Sequence, residues 1–231
     1  MSIFDFLKQR KQPETEKFAL YRETPETRES FRTIRSSLSV WLAEREEKSA
    51  SVLCVSSRAH DGKTPTAINL AASFADERKK VVFVDADLRA GNATKHLDLQ
   101  GKLGLCDVLL GKATLDEALV EVKELGCFVL PCGSQTELPY ELLASSEMDQ
   151  LAKELKERFE IAIYDVAPLR ACSDGYALAT KMDGVAFVCK HYRARENEIQ
   201  KSLATLRYHK ANVLGLIVSD YKKNRREKKL G

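Results

Sequence analysis

Short apolar runs alternate with amphipathic stretches along most of the chain. The apolar runs have the length of strands and occupy residues 51–56, 81–84, 127–131, 161–164, 185–189 and 213–219. The stretches with helical spacing between them include 63–77, 148–158 and 195–209. Strands that are apolar throughout and separated by helices are typical of a parallel sheet covered on both faces. The pattern therefore predicts an α/β fold, a three-layer sandwich around a mainly parallel sheet.

A further amphipathic helix, predicted over 27–45, precedes this alternation. Its apolar positions recur at helical spacing and are Phe31, Ile34, Leu38, Trp41 and Leu42. Residues 1–26 are polar and contain two prolines, so we expect a flexible leader with at most one helical turn at 3–7. We therefore divide the chain into the leader, a domain over 27–220 that begins with this helix, and a tail over 221–231.

The amino-acid composition indicates the class of protein to which the chain belongs. The 231 residues are 44% hydrophobic and 31% charged, as in ordinary globular proteins, which excludes a mostly disordered chain. The apolar runs are too short to span a bilayer, and the first residues do not resemble a signal peptide, so we expect a cytoplasmic protein. The net charge of +3 gives no reason to expect nucleic acid as a partner.

The cysteines and the tail give little information about function. Six cysteines form no Cys-x-x-Cys pair and have no histidine at zinc-finger spacing, so we expect neither a disulfide nor a metal role for them. Residues 222–229 are strongly basic. This tail is either a solvated end of the chain or a segment attracted to an anionic membrane or an acidic partner.

A phosphate-binding loop is predicted after the first strand of the domain. Gly62, Lys63 and Thr64 stand where a strand passes through a polar loop into a helix. In such a loop the backbone N–H groups and the helix N-terminus hold phosphates, the lysine reaches their terminal oxygens and the threonine hydroxyl ligates Mg²⁺. An ordinary loop capped by Asp61 is the alternative. The nucleotide-binding candidates are Arg58, Ala59, His60, Asp61, Gly62, Lys63, Thr64 and Pro65.

Carboxylates follow two other predicted strands. Asp85 and Asp87 end the strand at 81–84, and Asp165 ends the strand at 161–164. Ligands of such sheets bind at the carboxyl ends of the strands, where these acids would meet the loop. Carboxylate oxygens suit Mg²⁺, and one of the acids could accept a proton from a hydroxyl nucleophile. Solvated loop acids are the alternative for each motif alone.

Together these motifs resemble the bacterial tyrosine kinases that control capsule and exopolysaccharide synthesis, in the MinD/ParA-like branch of P-loop proteins. The similarity extends over about 26–220. It includes the Asp-x-Asp-x-Arg pattern that ends at Arg89, the Asp-x-x-Pro pattern of Asp165 and Pro168, and a segment at 138–143 like the family's Asn-Pro-Ser-Glu-Leu-Leu. The helical Glu-x-x-Arg-x-x-Arg motif, which mediates ring-like oligomers in the family, is matched by Glu29, Arg32 and Arg35.

The resemblance implies a P-loop NTPase-like domain that binds ATP with Mg²⁺ and phosphorylates protein tyrosines. Lys63, Asp85 and Asp87 are then the catalytic candidates, and the two acids share metal binding and activation of the tyrosine hydroxyl. The implied metal ligands are Thr64, Asp87 and Asp165. The implied partners are further copies of the chain and a transmembrane polysaccharide co-polymerase or activator, which would hold the protein at the inner face of the membrane.

The chain departs from the family in two places. The family loop usually reads Pro-Gly-Glu-Gly-Lys-Ser-Thr, whereas His60 stands here at the first glycine and Pro65 at the final threonine. Histidine can adopt the left-handed conformation that glycine allows, at a cost of about 1–2 kcal/mol. Proline lacks the N–H normally offered to the α-phosphate. The family's tyrosine-rich tail is reduced to Tyr221, the one candidate phosphoacceptor after residue 208.

These departures keep two other functions open. The first is a regulatory module with weak or no kinase activity that oligomerises and binds a membrane partner. The second is a MinD/ParA-like ATPase, since Arg58 stands in the place of that branch's signature lysine. The Glu29–Arg32–Arg35 helix points towards the kinases instead.

Overall fold

The computed structural model describes residues 23–193 and 195–220. A seven-stranded sheet forms its centre, with the strand order β3-β4-β2-β5-β1-β6-β7. The strands are β1 Ala50–Ser56, β2 Val81–Asp85, β3 Val120–Val122, β4 Cys127–Leu130, β5 Ile161–Asp165, β6 Gly184–Lys190 and β7 Val213–Ser219. All neighbouring pairs are parallel except β3 and β4, which are antiparallel. The predicted α/β fold with a mainly parallel sheet is confirmed.

Helices cover both faces of the sheet. They are α1 Pro25–Ala43, α2 Lys63–Ala75, α3 Asn92–His96, α4 Leu105–Leu109, α5 Leu115–Ala118, α6 Pro139–Ala144, α7 Ser146–Arg158, α8 Asp174–Ala179 and α9 Glu196–Tyr208. On one face α1 and α2 enclose a core around Ile68 and Phe74. On the other face α4 to α9 enclose a core around Leu105, Met148 and Leu155. Strands β1, β2 and β5 are buried along their whole length, which explains their continuous apolar sequences.

The sheet topology brings the predicted motifs together. Strand β1 lies between β5 and β6, and β5 also pairs with β2. Asp85 and Asp165 are in direct register at the carboxyl ends of β2 and β5. The loop after β1 therefore opens at the same edge as both acidic motifs, which is where parallel sheets place their ligands.

The ends of the predicted elements shift by one or two residues. Helix α1 begins at Pro25 rather than 27, because the Thr24 hydroxyl accepts a hydrogen bond from the N–H of Thr27 and proline favours the first helical position. Of the described helices, none is long and apolar enough to cross a membrane. The helical turn proposed at 3–7, the basic tail and Tyr221 lie outside the described residues.

Candidate active site

The loop after β1 has the backbone of a phosphate-binding loop. His60 and Gly62 are both left-handed, with φ of 64° and 85°. A Cβ at Gly62 would lie 2.7 Å from the Ser219 Oγ, so the close approach of β7 excludes any side chain there. The Ser219 hydroxyl donates a hydrogen bond to the Asp61 carbonyl at 2.6 Å. His60 thus adopts the conformation that the sequence predicted for it, and β7 braces the loop from one side.

Lys63, Thr64 and Asp165 form the centre of the site. The Lys63 Nζ lies 2.5 Å from one Asp165 carboxylate oxygen, and the Thr64 hydroxyl donates to the other at 2.6 Å. All three residues are buried. Lys63 and Thr64 open the first turn of α2, a helix of 13 residues whose N-terminus favours anions. A lysine, a helix N-terminus and a hydroxyl–carboxylate pair therefore converge at one point.

Asp85 and Asp87 have different environments. One Asp85 oxygen accepts hydrogen bonds from the N–H and hydroxyl of Thr94, each at 2.7 Å, and the other accepts one from the N–H of Asp87 at 3.2 Å. Burial and the nearby charge of Asp165 raise the pKa of Asp85 to about 7. Asp85 thus fixes the loop that follows β2.

Asp87 lies further along that loop. It accepts hydrogen bonds from the N–H of Ala90 at 3.1 Å and from the Asn92 side chain at 3.3 Å. Burial raises the pKa of Asp87, and the positive charge of Lys63 opposes that shift. The charge of Lys63 therefore acts on this carboxylate.

The oxygen donors at this point fit Mg²⁺. Mg²⁺ is bound by one or two carboxylates and completes its shell with water and substrate phosphates, so it needs no all-protein cage. Thr64, Asp87 and Asp165 supply one hydroxyl and two carboxylates of that kind. The described residues contain no cluster of three or more histidine, cysteine or acidic side chains placed to hold a metal by themselves.

Glu198 of α9 is a site residue that sequence reasoning missed. One of its carboxylate oxygens accepts hydrogen bonds from both Arg58, in the phosphate-binding loop, and Arg170, in the loop after β5. Burial raises the pKa of Glu198, but the hydrogen bonds and charges of the two arginines lower it below its usual value. Ser57 also contacts Ser202 of α9, with 3.0 Å between the hydroxyl oxygens. Helix α9 therefore contacts both the phosphate-binding loop and the loop after β5.

Arg89 belongs to the second loop. Its guanidinium donates to both oxygens of Asp174 at the start of α8, over 2.7 and 3.0 Å. Asp174 is buried, whereas Arg89 remains 46% exposed. This bidentate pair fixes the loop after β2 against the segment that follows β5.

The three residues of the helical motif in α1 separate in the structure. Glu29 and Arg32 form an exposed ion pair with each other at 3.1 Å. Arg35 instead turns towards α2, where it donates to the Ser73 carbonyl at 2.7 Å and pairs with Glu77 at 2.8 Å. Arg35 therefore contacts its own subunit, while Glu29 and Arg32 remain at the surface.

Comparison with known proteins agrees with this geometry. Residues 55–218 match the family model described as an AAA domain. The tyrosine-protein kinase YwqD of Bacillus subtilis is 33% identical over 84% of this chain and 81% of its own length. The putative tyrosine-protein kinase CapB of Staphylococcus aureus is 27% identical over 83% of each chain. The tyrosine-protein kinase etk of Escherichia coli strain K12 is longer, and only 26% of its length is matched.

Solved structures show the same fold. The kinase domain of the Escherichia coli tyrosine kinase ETK superposes with a TM-score of 0.83 at 26% identity, over 97% of this chain and 88% of that one. The cell division ATPase MinD of Pyrococcus furiosus superposes with a TM-score of 0.64 at 23% identity over 77% of this chain and 74% of that one, which shows the fold alone. The chain therefore belongs to the bacterial tyrosine-protein kinases, a family built on the P-loop AAA domain.

Proposed function

We propose that the chain is an ATP- and Mg²⁺-dependent protein-tyrosine kinase that regulates capsular or exopolysaccharide synthesis and export. The observation that supports it most is the contact of Lys63 and Thr64 with Asp165 at the N-terminus of α2. A kinase needs positive charge for the phosphates, a metal-binding hydroxyl and a carboxylate at one point, and this contact supplies all three. Family membership supplies tyrosine as the acceptor class.

In the proposed reaction the γ-phosphoryl group moves from ATP to a tyrosine oxygen, which releases ADP and the hydroxyl proton. Lys63 exchanges its contact with Asp165 for the terminal phosphate oxygens and stabilises their charge. Thr64, Asp87 and Asp165 would hold Mg²⁺, which neutralises phosphate charge and orients the phosphates. Positioning and electrostatics account for most of the rate gain in such transfers.

The two acids after β2 divide the remaining work in this proposal. Asp85 is buried, and both of its oxygens already accept hydrogen bonds from its own chain. We therefore assign it a positioning role towards the loop that contains Asp87. Asp87, on the loop that Asp85 holds, would ligate Mg²⁺ and accept the tyrosine proton, and burial raises its pKa, which favours proton acceptance.

The proposal includes phosphorylation in trans. In the family that the motifs resemble, neighbouring subunits phosphorylate the tyrosines of the tail, and Tyr221 is the one tyrosine that follows residue 208 here.

Incubation with Mg–ATP, followed by mass-spectrometric mapping of modified tyrosines, tests the function. We expect modest labelling mainly at Tyr221, at a rate per subunit that rises with protein concentration because the reaction occurs between subunits. A nucleotide titration with and without Mg²⁺ is run in parallel. Heavy labelling at several tyrosines would contradict the restricted target. Measured ATP binding without labelling of the chain or of any partner would favour the regulatory module.

Self-association is a further part of the proposal, and Glu29 with Arg32 is its candidate contact. Replacing both by alanine is expected to lower the oligomer mass in solution, as measured by light scattering. The pair is exposed, and exposed ion pairs contribute little to folding, so the melting temperature should stay almost unchanged. Arg35→Ala is the matched comparison, because it removes contacts within the subunit and should lower stability. A wild-type protein that is monomeric at high concentration, with and without nucleotide, would refute the contact.

The proposed location is the cytoplasmic face of the membrane, reached through a transmembrane polysaccharide co-polymerase. This setting is that of the capsule and exopolysaccharide kinases that the motifs resemble.

A regulatory module with weak kinase activity is the second candidate, favoured by His60 and Pro65 in the loop. His60 has a left-handed φ of 64°, a conformation that glycine adopts freely and histidine at a cost. A MinD/ParA-like ATPase is less favoured. Arg58, at the place of that branch's signature lysine, is paired within its own chain to Glu198.

A further inference from the structure

A cleft of about 430 Å³ is lined by Arg89, which follows Asp87 by two residues on the loop after β2. Asp174, which fixes that arginine, also lines it, as do Tyr140 and Glu141 of α6. The cleft and Asp87 thus share one loop. Neither Lys63 nor Thr64, the proposed phosphate-binding residues, lines the cleft, so it is free for the other reactant.

The charge of the cleft is not balanced. Arg89 and Asp174 neutralise each other through their bidentate contact. Glu141 is exposed, and within the described parts of the chain no ion pair involves it. Tyr140 beside it is 44% exposed. A carboxylate next to an aromatic ring favours a lysine or arginine side chain through charge attraction and a cation–π contact. The same negative charge disfavours a nucleotide phosphate.

We infer that this cleft binds a basic side chain next to the acceptor tyrosine and that Glu141 determines this preference. The inference rests on the proposed kinase function and names its substrate class, a tyrosine followed by lysine or arginine. The occupant to which we commit is the tail of a second copy of this chain. There Tyr221 precedes Lys222 and Lys223, so the charge of the segment complements that of the cleft. In line with the proposed reaction between subunits, the segment comes from another copy.

Peptide binding tests this without requiring catalysis. A fluorescent peptide of residues 216–226 is titrated with the full chain in the presence of Mg–ADP, and anisotropy is recorded. A second peptide has glutamate at the positions of Lys222 and Lys223. We expect tighter binding of the basic peptide. Glu141→Gln should weaken it by about two- to fivefold, the range of an exposed ion pair. Glu141→Lys should reverse the preference between the two peptides.

Glu157→Gln on α7 is the matched control, since it removes the same charge from an exposed position. It should leave both affinities unchanged. Glu141 lies in the first turn of α6, where lysine is less favourable than glutamate, so melting curves accompany every variant. If Glu141→Lys fails to fold, Glu141→Gln decides the matter. Equal affinity of the wild type for both peptides, no measurable binding, or an equal loss in the control would overturn the inference.

The same peptides, incubated with Mg–ATP, separate this inference from the proposed function. Selective binding with no phosphate transfer would leave the cleft assignment intact and refute the kinase activity. Phosphate transfer to both peptides at the same KM would establish the activity and refute the role of Glu141.

Discussion

Replacing Lys63 by methionine is expected to lower the rate of phosphoryl transfer by about 10²- to 10³-fold, the loss typical when one charge-stabilising donor is removed. Methionine has a similar shape but cannot neutralise charge on the transferring phosphate. The same change should also lower the free energy of unfolding. The buried Asp165 loses its ion partner, and breaking a buried pair from one side costs about 3–5 kcal/mol. Phosphate incorporation and urea denaturation measure the two effects.

A double variant distinguishes chemistry from folding. Lys63→Met combined with Asp165→Asn removes both charges, so most of the lost stability should return, while the activity stays low. Thr64 can still donate to the asparagine carbonyl oxygen in that variant. A single Lys63→Met protein that keeps a tenth or more of the wild-type rate would show that another group stabilises the phosphates. Equal stability of the single and double variants would show that the pair contributes nothing to the fold.

Reverting His60 to glycine and Pro65 to threonine should tighten Mg–ATP binding by about ten- to a hundredfold. Pro65 lies in the first turn of α2, where a threonine would offer its N–H to the α-phosphate. A hydrogen bond to a charged group contributes roughly 1.5–3 kcal/mol, which gives that range. Glycine at position 60 should relieve the left-handed strain of His60, whose φ is 64°. Isothermal titration calorimetry measures the affinity.

The single revertants apportion the effect. Pro65→Thr alone should account for most of the gain in affinity, because it adds a donor to the nucleotide. His60→Gly alone should act mainly on stability, because the histidine backbone already has the required conformation. An unchanged affinity in the double revertant would show that the loop adapts around Pro65 and that the missing donor does not limit binding.

Long periodic segments and strand-end acids were predictable from sequence. The strands β1, β2 and β5 are buried along their whole length, so their sequences are mostly apolar, and the acids that end β2 and β5 mark the edge where the site forms. Helices α1, α2, α7 and α9 were found within about two residues at each end, because their amphipathic patterns extend over at least three turns.

The region between β2 and α7 was mostly missed. It contains β3 and four helices of four to six residues, which are too short for a period to emerge. Tertiary contacts select these elements; Gly104, for example, packs so closely on Pro131 that a Cβ there would lie 2.2 Å from the Pro131 carbonyl oxygen. The roles of Asp85 and Asp87 also needed coordinates, since only hydrogen-bond partners distinguish two neighbouring acids.

The role of Glu198 could not be predicted from the sequence either, because it depends on tertiary contacts. A glutamate in the first turn of a surface helix is ordinary, and nothing in its spacing relates it to Arg58 or Arg170, which precede it by 140 and 28 positions. Only the packing of α9 against both loops reveals the shared carboxylate.

The position of Glu198 couples the placement of α9 to the binding of nucleotide. One carboxylate accepts from the arginines of two loops, so a displacement of α9 changes the conformational equilibrium of both loops at once. Linkage is reciprocal: whatever factor a ligand on α9 applies to nucleotide affinity, the nucleotide applies to the affinity of that ligand. The affinity of a protein for the outer surface of α9 would therefore depend on whether the site holds nucleotide, although that protein does not contact the nucleotide.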